Sequence, residues 1–269
     1  MIIRNKVCLA SSCLLATGLN AFGYLASHGP FSGGEFPQNV PIHNYLVTKQ
    51  ERVSGQRERD AVFLWYAESE QTKAPVVVEE RDSETGSQIT ILDRNDSPLS
   101  MPVPNTQWGN PVEVFAADLN LDGEPDFIVT FSTRGCGLAA EGTTNLFLLS
   151  GKGRYEATAL YSFDFGPEDL VRLKPDGPCY FIHNDLVRSQ DETTKDGRGH
   201  SFWVYRLYRF SGGNLVEANQ DDARFPKWVW YSFRDNHKET DLLTPEQKKR
   251  LLEKNRSFPA AGEGAGSVP

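Results

Sequence analysis

Basic charge is in short supply in this chain, with 28 Lys and Arg against 36 Asp and Glu and a formal net charge of −8. That balance disfavours nucleic-acid partners, because a phosphate backbone is bound by a basic face. Cysteine is scarce as well. Of the four present, Cys8 and Cys13 fall in an N-terminal apolar stretch, so only Cys136 and Cys179 belong to the body of the chain. The patterns HExxH, GxSxG, CxxC and the P-loop do not occur, which argues against the zinc, serine-nucleophile, redox and phosphate-cradling chemistries they serve. Carboxylate-only mechanisms leave no local signature and stay open. Alternation of strand and helix patterns is also missing, so a parallel α/β sheet is not expected.

What is present points to a folded, exported protein. Apolar residues make up 39% and aromatics 11%, enough apolar surface to offset the chain entropy that keeps poorer sequences disordered. The length of 269 residues suits one large β domain or two smaller ones. Residues 1–6 carry Arg4 and Lys6 and no acid, and residues 7–21 (VCLASSCLLATGLNA) are apolar or small. This is the order of a secretory signal peptide, with cleavage expected after Gly23, or after Ala26 as second choice. An uncleaved N-terminal anchor is the alternative, as is lipidation at Cys13. Each route predicts export to a periplasm, cell surface or medium, with membrane contact only through that segment. In such an oxidising compartment Cys136 and Cys179 are expected to pair, the alternative being two buried thiols. The bridge would close about 44 residues and stabilise by about 4 kcal/mol on a loop-entropy argument.

Beyond a signal or anchor at 1–23, residues 24–60 read as an extended leader, 61–235 as a β-rich domain, 236–257 as a helical segment and 258–269 as a disordered Gly/Ala/Pro/Ser tail. Strands are predicted at 61–68, 75–80, 87–92, 112–117, 127–131, 145–149, 156–163, 179–184, 201–210 and 215–219, from period-two alternation and β-branched or aromatic content. Residues 97–104, with three prolines, read as a loop. Gly212 and Gly213 mark a hairpin turn. The polar stretch 191–199 reads as a mobile loop. Thr244, Pro245 and Gln247 form a capping-box start for a helix to about Lys254.

One motif carries chemistry. Residues 118–126, DLNLDGEPD, place oxygen side chains at loop positions 1, 3, 5 and 9: Asp118, Asn120, Asp122 and Asp126. Gly123 at position 6 allows the sharp turn, and Glu124 at position 7 would offer its backbone carbonyl. Calcium takes six to eight oxygens, and this spacing gathers them from one short loop. An EF-hand is excluded, because position 12 is Val129 rather than Glu and the flanks read as strands rather than helices. A metal-free acidic turn is the plainer alternative.

The strand, loop and strand VEVFAADLNLDGEPDFIVTF resembles the FG-GAP or VCBS-type repeat of integrin-like β-propellers. The resemblance covers residues 112–131 in a single copy. It implies a blade-like β unit that holds calcium through Asp118, Asn120, Asp122, Asp126 and the Glu124 carbonyl. The expected fold is therefore mainly β, an irregular or partial β-propeller or alternatively a β-sandwich, with one C-terminal helix.

Aromatics cluster late in the chain. Trp203, Trp228 and Trp230 are candidate stacking residues for a glycan or protein ligand, core packing being the commoner use of such side chains. His183, His200 and His237 have no ligand spacing, although His183 and His200 are candidates to meet in space. The functional expectation is a calcium-stabilised binding or structural module whose ligand the sequence does not name. The alternatives are an exported hydrolase acting on a glycan or phosphoester, and a subunit of a cell-surface assembly.

Overall fold

The computed structural model describes residues 37–54, 62–68, 76–83, 86–92, 103–105, 111–132, 142–151, 154–163, 165–189, 193–231 and 241–254. All belong to the unit Pro37–Pro269. The signal or anchor segment, the tail, Cys136 and His237 lie outside the described residues.

The described chain is mainly β with one helix, as the alternation of its strands predicts. Nine strands form one antiparallel sheet: β2 (His43–Ser54), β3 (Val62–Glu68), β4 (Val76–Ser83), β5 (Gly86–Leu92), β6 (Val103–Asn105), β7 (Pro111–Ala117), β8 (Asp126–Ser132), β9 (Gly142–Gly151) and β10 (Arg154–Phe163). Their order is β10-β9-β8-β7-β2-β3-β4-β5-β6. Shifts in register between Val47 and Lys49, and between Arg52 and Ser54, place bulges in β2, which bend and twist a sheet locally.

The second sheet contains β1 (Gln38–Asn39), β11 (Leu170–Arg172), β12 (Cys179–Arg188), β13 (Ser201–Ser211), β14 (Asn214–Glu217) and β15 (Lys227–Trp230). Its order is β1-β11-β12-β13-β14, and β15 shares with β14 the remaining edge of β13. The strands described here close no barrel. Of the two architectures expected, this one lies nearer the sandwich, because a core forms between two sheets.

That core joins Phe115, Ile128, Phe147 and Leu149 of the first sheet to Leu170, Cys179, Phe181 and Phe210 of the second. Phe147 is its hub, with ring centroids 5.1 Å from Phe181, 5.8 Å from Phe210 and 6.4 Å from Phe165. A second cluster lies on the opposite face of β7, β8 and β9, from Val114, Phe127, Val129, Phe131, Leu146 and Leu148. Burial of both faces explains why β8 and β9 read as continuous apolar runs (FIVTF, NLFLL) rather than alternating ones. Full burial of such a side chain is worth roughly 1.5–3 kcal/mol.

The helix α1 (Pro245–Lys254) starts as its sequence predicts. The Thr244 N–H donates to Gln247 Oε1 at 2.8 Å, and the Gln247 N–H donates to Thr244 Oγ1 at 3.2 Å. Leu251 packs with Leu243 against Val187, Phe202, Val204 and Trp228.

Three expectations need correction. Residues 24–60 are not simply a leader, since they supply β1 and β2, and β2 sits between β7 and β3 in the larger sheet. Its many polar residues and the prolines and glycines before it hide a strand that pairs with the adjacent β3 on one side and the distant β7 on the other. Residues 103–105 of the proline-rich stretch form β6 rather than loop. Residues 193–199 are a closed turn: the Thr194 N–H donates to the Arg198 carbonyl at 3.1 Å, and Gly197 adopts φ +78°.

Candidate metal centre

The acidic loop links β7 to β8, and its conformation is written by its own side chains. Asp118 Oδ1 accepts from the Asp122 N–H at 3.0 Å, and Oδ2 from the Gly123 N–H at 3.1 Å. Asn120 Oδ1 accepts from the same Asp122 N–H at 3.1 Å, and Asp122 Oδ1 from the Glu124 N–H at 2.9 Å. Each polar side chain thus satisfies a donor two to five residues ahead, the usual local chemistry of Asp and Asn. One consequence matters for ligation. Oxygens of Asp118 and Asn120 converge on a single N–H, so the two side chains are neighbours.

The backbone makes this possible at two positions. Gly123 takes φ +89°, which glycine adopts without steric cost. Leu121 takes φ +62° and is 46% exposed, a conformation costing an L-residue roughly 1–2 kcal/mol. Asn tolerates it better, so Leu121→Asn should stabilise by roughly 0.5–1 kcal/mol in urea unfolding. An unchanged midpoint would mean that the leucine side chain compensates through contacts of its own.

Neighbouring elements fix the loop from outside. Asn120 Nδ2 donates to the Ser150 carbonyl at 2.6 Å and approaches the Gly212 carbonyl at 3.4 Å. The first belongs to β9 and the second to the β13–β14 turn, so one amide touches both sheets. Ser150 Oγ lies 2.7 Å from Asp122 Oδ2 and 3.0 Å from Asp126 Oδ1. The Tyr155 hydroxyl donates to the Pro125 carbonyl at 2.9 Å.

Asp126 is held differently from the other loop oxygens. Its carboxylate is fully buried. Oδ2 accepts from the N–H groups of Leu119 (2.7 Å) and Asn120 (3.1 Å). Oδ1 accepts from the Ser150 N–H (2.6 Å) and faces Ser150 Oγ. Four partners occupy the roughly four lone-pair directions of a carboxylate, so Asp126 is the post on which the loop is built. Burial pushes its carboxyl up, against the pull of the Ser150, Asn120 and Leu119 donors.

The other oxygens fit a hard cation. Asp118 is half-buried, and Asp122 and Glu124 are exposed. Asp122 is held below the usual carboxylate range by the Glu124 N–H first, then by Ser150 and Asn120. Burial, and then the charges of Asp126, Glu124 and Asp122, push the Tyr155 phenol up, which registers a concentrated negative field. Among the described residues no three His, Cys, Asp or Glu side chains stand in a ligating group. The donor set consistent with this is two carboxylates, Asp118 and Asp122, with Asn120 Oδ1 and the Glu124 carbonyl. Hard oxygen donors of this kind suit calcium rather than a soft metal.

The remaining candidates separate. Cys179 carries a free, buried thiol whose Sγ lies 3.9 Å from the Asp118 carbonyl oxygen, and burial pushes that thiol up. Its expected partner, Cys136, lies outside the described residues. Trp203 and Trp228 are 4% exposed each and are core residues rather than stacking platforms. Trp203 meets Phe163 edge-on at 5.1 Å, and Trp228 meets Phe202 at 5.8 Å. Trp230 is half-buried at the end of β15.

His183 and His200 do not meet. His183 is buried, and its Nε2–H donates to the Tyr161 carbonyl at 2.6 Å, from β12 to β10 across the two sheets. Burial lowers its pKa to about 4, with nearby Arg206 acting in the same direction and Asp185 against it. Ser150 and the Asp196–His200 pair are the residues that sequence reasoning missed. A serine ending an apolar strand gives no sign that it faces a loop 24 positions upstream.

Comparison of the chain with protein-family models, with curated proteins and with solved structures returns no match.

Proposed function

We propose that this chain is an exported, calcium-stabilised β-rich module that binds a ligand or serves as a structural part, with the ion held at Asp118, Asn120, Asp122 and the Glu124 carbonyl. The observation carrying this reading is the convergence of Asp118 Oδ1 and Asn120 Oδ1 on the Asp122 N–H, on a loop built over buried Asp126. The geometry also supports the likeness to a strand-flanked FG-GAP or VCBS-type loop, since strands β7 and β8 flank it. Calcium would neutralise the facing carboxylates and stiffen a loop whose Asn120 touches both sheets, so binding would add to folding free energy. The export part of the reading rests on the basic and apolar pattern of residues 1–23. Among the described residues no helix is long and apolar enough to cross a membrane.

With two carboxylates the affinity should be modest, a dissociation constant of roughly 0.1–1 mM, as in extracellular modules. At about 10 mM calcium that stabilises by roughly 1.5–2.7 kcal/mol. For a domain of this size the melting temperature should rise by roughly 4–8 °C. Asp122→Ala should abolish the rise while EDTA-treated samples of both proteins stay folded. A wild type indifferent to calcium, or a variant that keeps the response, would remove the ion from the reading.

A further inference from the structure

An Asp–His pair at a protein surface adds little to stability, yet this one is fixed at nearly every joint. Asp196 Oδ1 faces the Thr194 hydroxyl at 2.5 Å and accepts from the Arg198 N–H at 3.1 Å. Oδ2 lies 2.7 Å from His200 Nε2. The turn carrying Asp196 is tied to the segment around α1, with Gln247 Nε2 donating to the Thr193 carbonyl and the Lys195 N–H to the Leu242 carbonyl. His200 is secured through its backbone too, its N–H donating to Ser189 Oγ and its carbonyl accepting from the Ser189 N–H. Its ring lies edge-on to Trp230 at 5.6 Å and to Phe202 at 6.4 Å.

The tautomer follows from this geometry. Facing a carboxylate, which only accepts, Nε2 must carry the proton. In the neutral ring Nδ1 is then an acceptor, with no partner among the described residues. The imidazole lines an open hollow of about 480 Å³, bounded among the described residues by Gly199, His200, Ser201, Trp230 and Tyr231.

We propose that this hollow is a binding site for a neutral saccharide, with the sugar's C–H face against Trp230 and Tyr231 and one hydroxyl donating to His200 Nδ1. The chemistry selects the class. Both Asp196 oxygens are already engaged, so the pair offers a held acceptor rather than a free charge. An anionic ligand would meet the Asp196 carboxylate, and a metal ion would find one nitrogen and no metal-ligating group of three among the described residues. Aromatic side chains with an apolar body and a wet edge suit a ring that is apolar on one face and hydroxylated at its rim. The proposal deepens the binding-module reading by naming a site and a ligand class, and it needs no ion.

The test is saturation-transfer NMR with tryptophan fluorescence on the full exported chain, against glucose, galactose, mannose, N-acetylglucosamine and their short oligomers. Glucuronate and choline serve as charged controls. At least one neutral sugar should bind saturably in the millimolar range or tighter. Binding should weaken at least tenfold in Trp230→Ala and in His200→Gln. The glutamine variant keeps an N–H donor for Asp196 while removing Nδ1 and the ring that meets Trp230 and Phe202, so an unchanged melting temperature in this variant separates lost binding from a folding effect. Saturable binding by none of the neutral sugars, preference for a charged control, or unchanged binding in both variants would overturn the proposal. Calcium-dependent melting is recorded on the same samples. Sugar binding without a calcium response would sink the ion alone, and a calcium response without sugar binding would sink the hollow alone.

Discussion

Asp126→Ala should cost the fold roughly 3–5 kcal/mol, because it strands buried donors that share one carboxylate. The N–H groups of Leu119, Asn120 and Ser150 lose their acceptor together. Asp126→Asn should be nearly as damaging. Each carboxylate oxygen faces a backbone donor, so either orientation of the amide points its NH₂ at an N–H. Chemical denaturation in EDTA reads this directly. The loss must appear without calcium, whereas Asp122→Ala gives up hydrogen bonds of an exposed side chain to the Glu124 N–H, Ser150 and Asn120 and should cost much less in EDTA while abolishing the response to the ion. An Asp126 variant that kept its stability in EDTA, and lost only calcium binding, would restore Asp126 as a ligand and refute its role as the loop's post.

The second large effect is a pH dependence centred on His183. Its pKa is lowered to about 4 in the fold, against an ordinary value near 6.5 in the unfolded chain. Between these values the unfolded chain binds a proton that the folded one refuses. Stability from this group is therefore complete above about pH 6.5 and drains away as the pH falls towards about 4. The loss by that point should reach about 3 kcal/mol, at about 1.36 kcal/mol for each pKa unit between the folded and unfolded values. The groups around the ring explain why the proton is refused. Arg206 lies directly across the strand pair, Asp185 shares the same face, and Tyr161, Tyr208 and Phe181 are the other neighbours. Asp185 is the nearby counter-charge, and its Oδ2 already lies 3.7 Å from Arg206. His183→Gln can keep a donor for the Tyr161 carbonyl while removing the titration. It should be less stable than wild type at about pH 7, and the gap should narrow by about 3 kcal/mol towards about pH 4. Parallel stability curves for the two proteins would show that His183 does not titrate in this range.

How much of this the sequence discloses depends on whether the signal is local. Hairpin partners such as β4 and β5, or β13 and β14, read correctly because alternation and a turn suffice. The start of α1 reads correctly for the same reason, since Thr244 and Gln247 satisfy one another three residues apart. β2 fails the test in part: β3 follows it directly in a hairpin, but its many polar residues mask the alternation, and its other partner begins only at residue 111. In the acidic loop, the spacing identifies Asp118, Asn120 and Asp122 as neighbours and offers Asp126 as a further ligand. Position in the loop does not reveal that Ser150 approaches from β9 and saturates it. Trp203 and Trp228 are comparable: alternation groups side chains by face, but in a strand buried on both faces neither side is the outside. The unbroken run FWVYRL is the available sign.

The place of β2 also bears on the order in which this chain can fold. Strands β2 to β6 and strands β7 to β10 are two meanders that sequential hairpin closure can build, with β2 turning directly into β3. Their hydrogen-bond ladders meet where β2 lies against β7, and the pairing of His43 with Ala116 joins residues far apart in the chain. This one seam carries the loop entropy of a long-range contact. The nine-stranded sheet should therefore assemble as two preformed meanders joined last along β2 and β7.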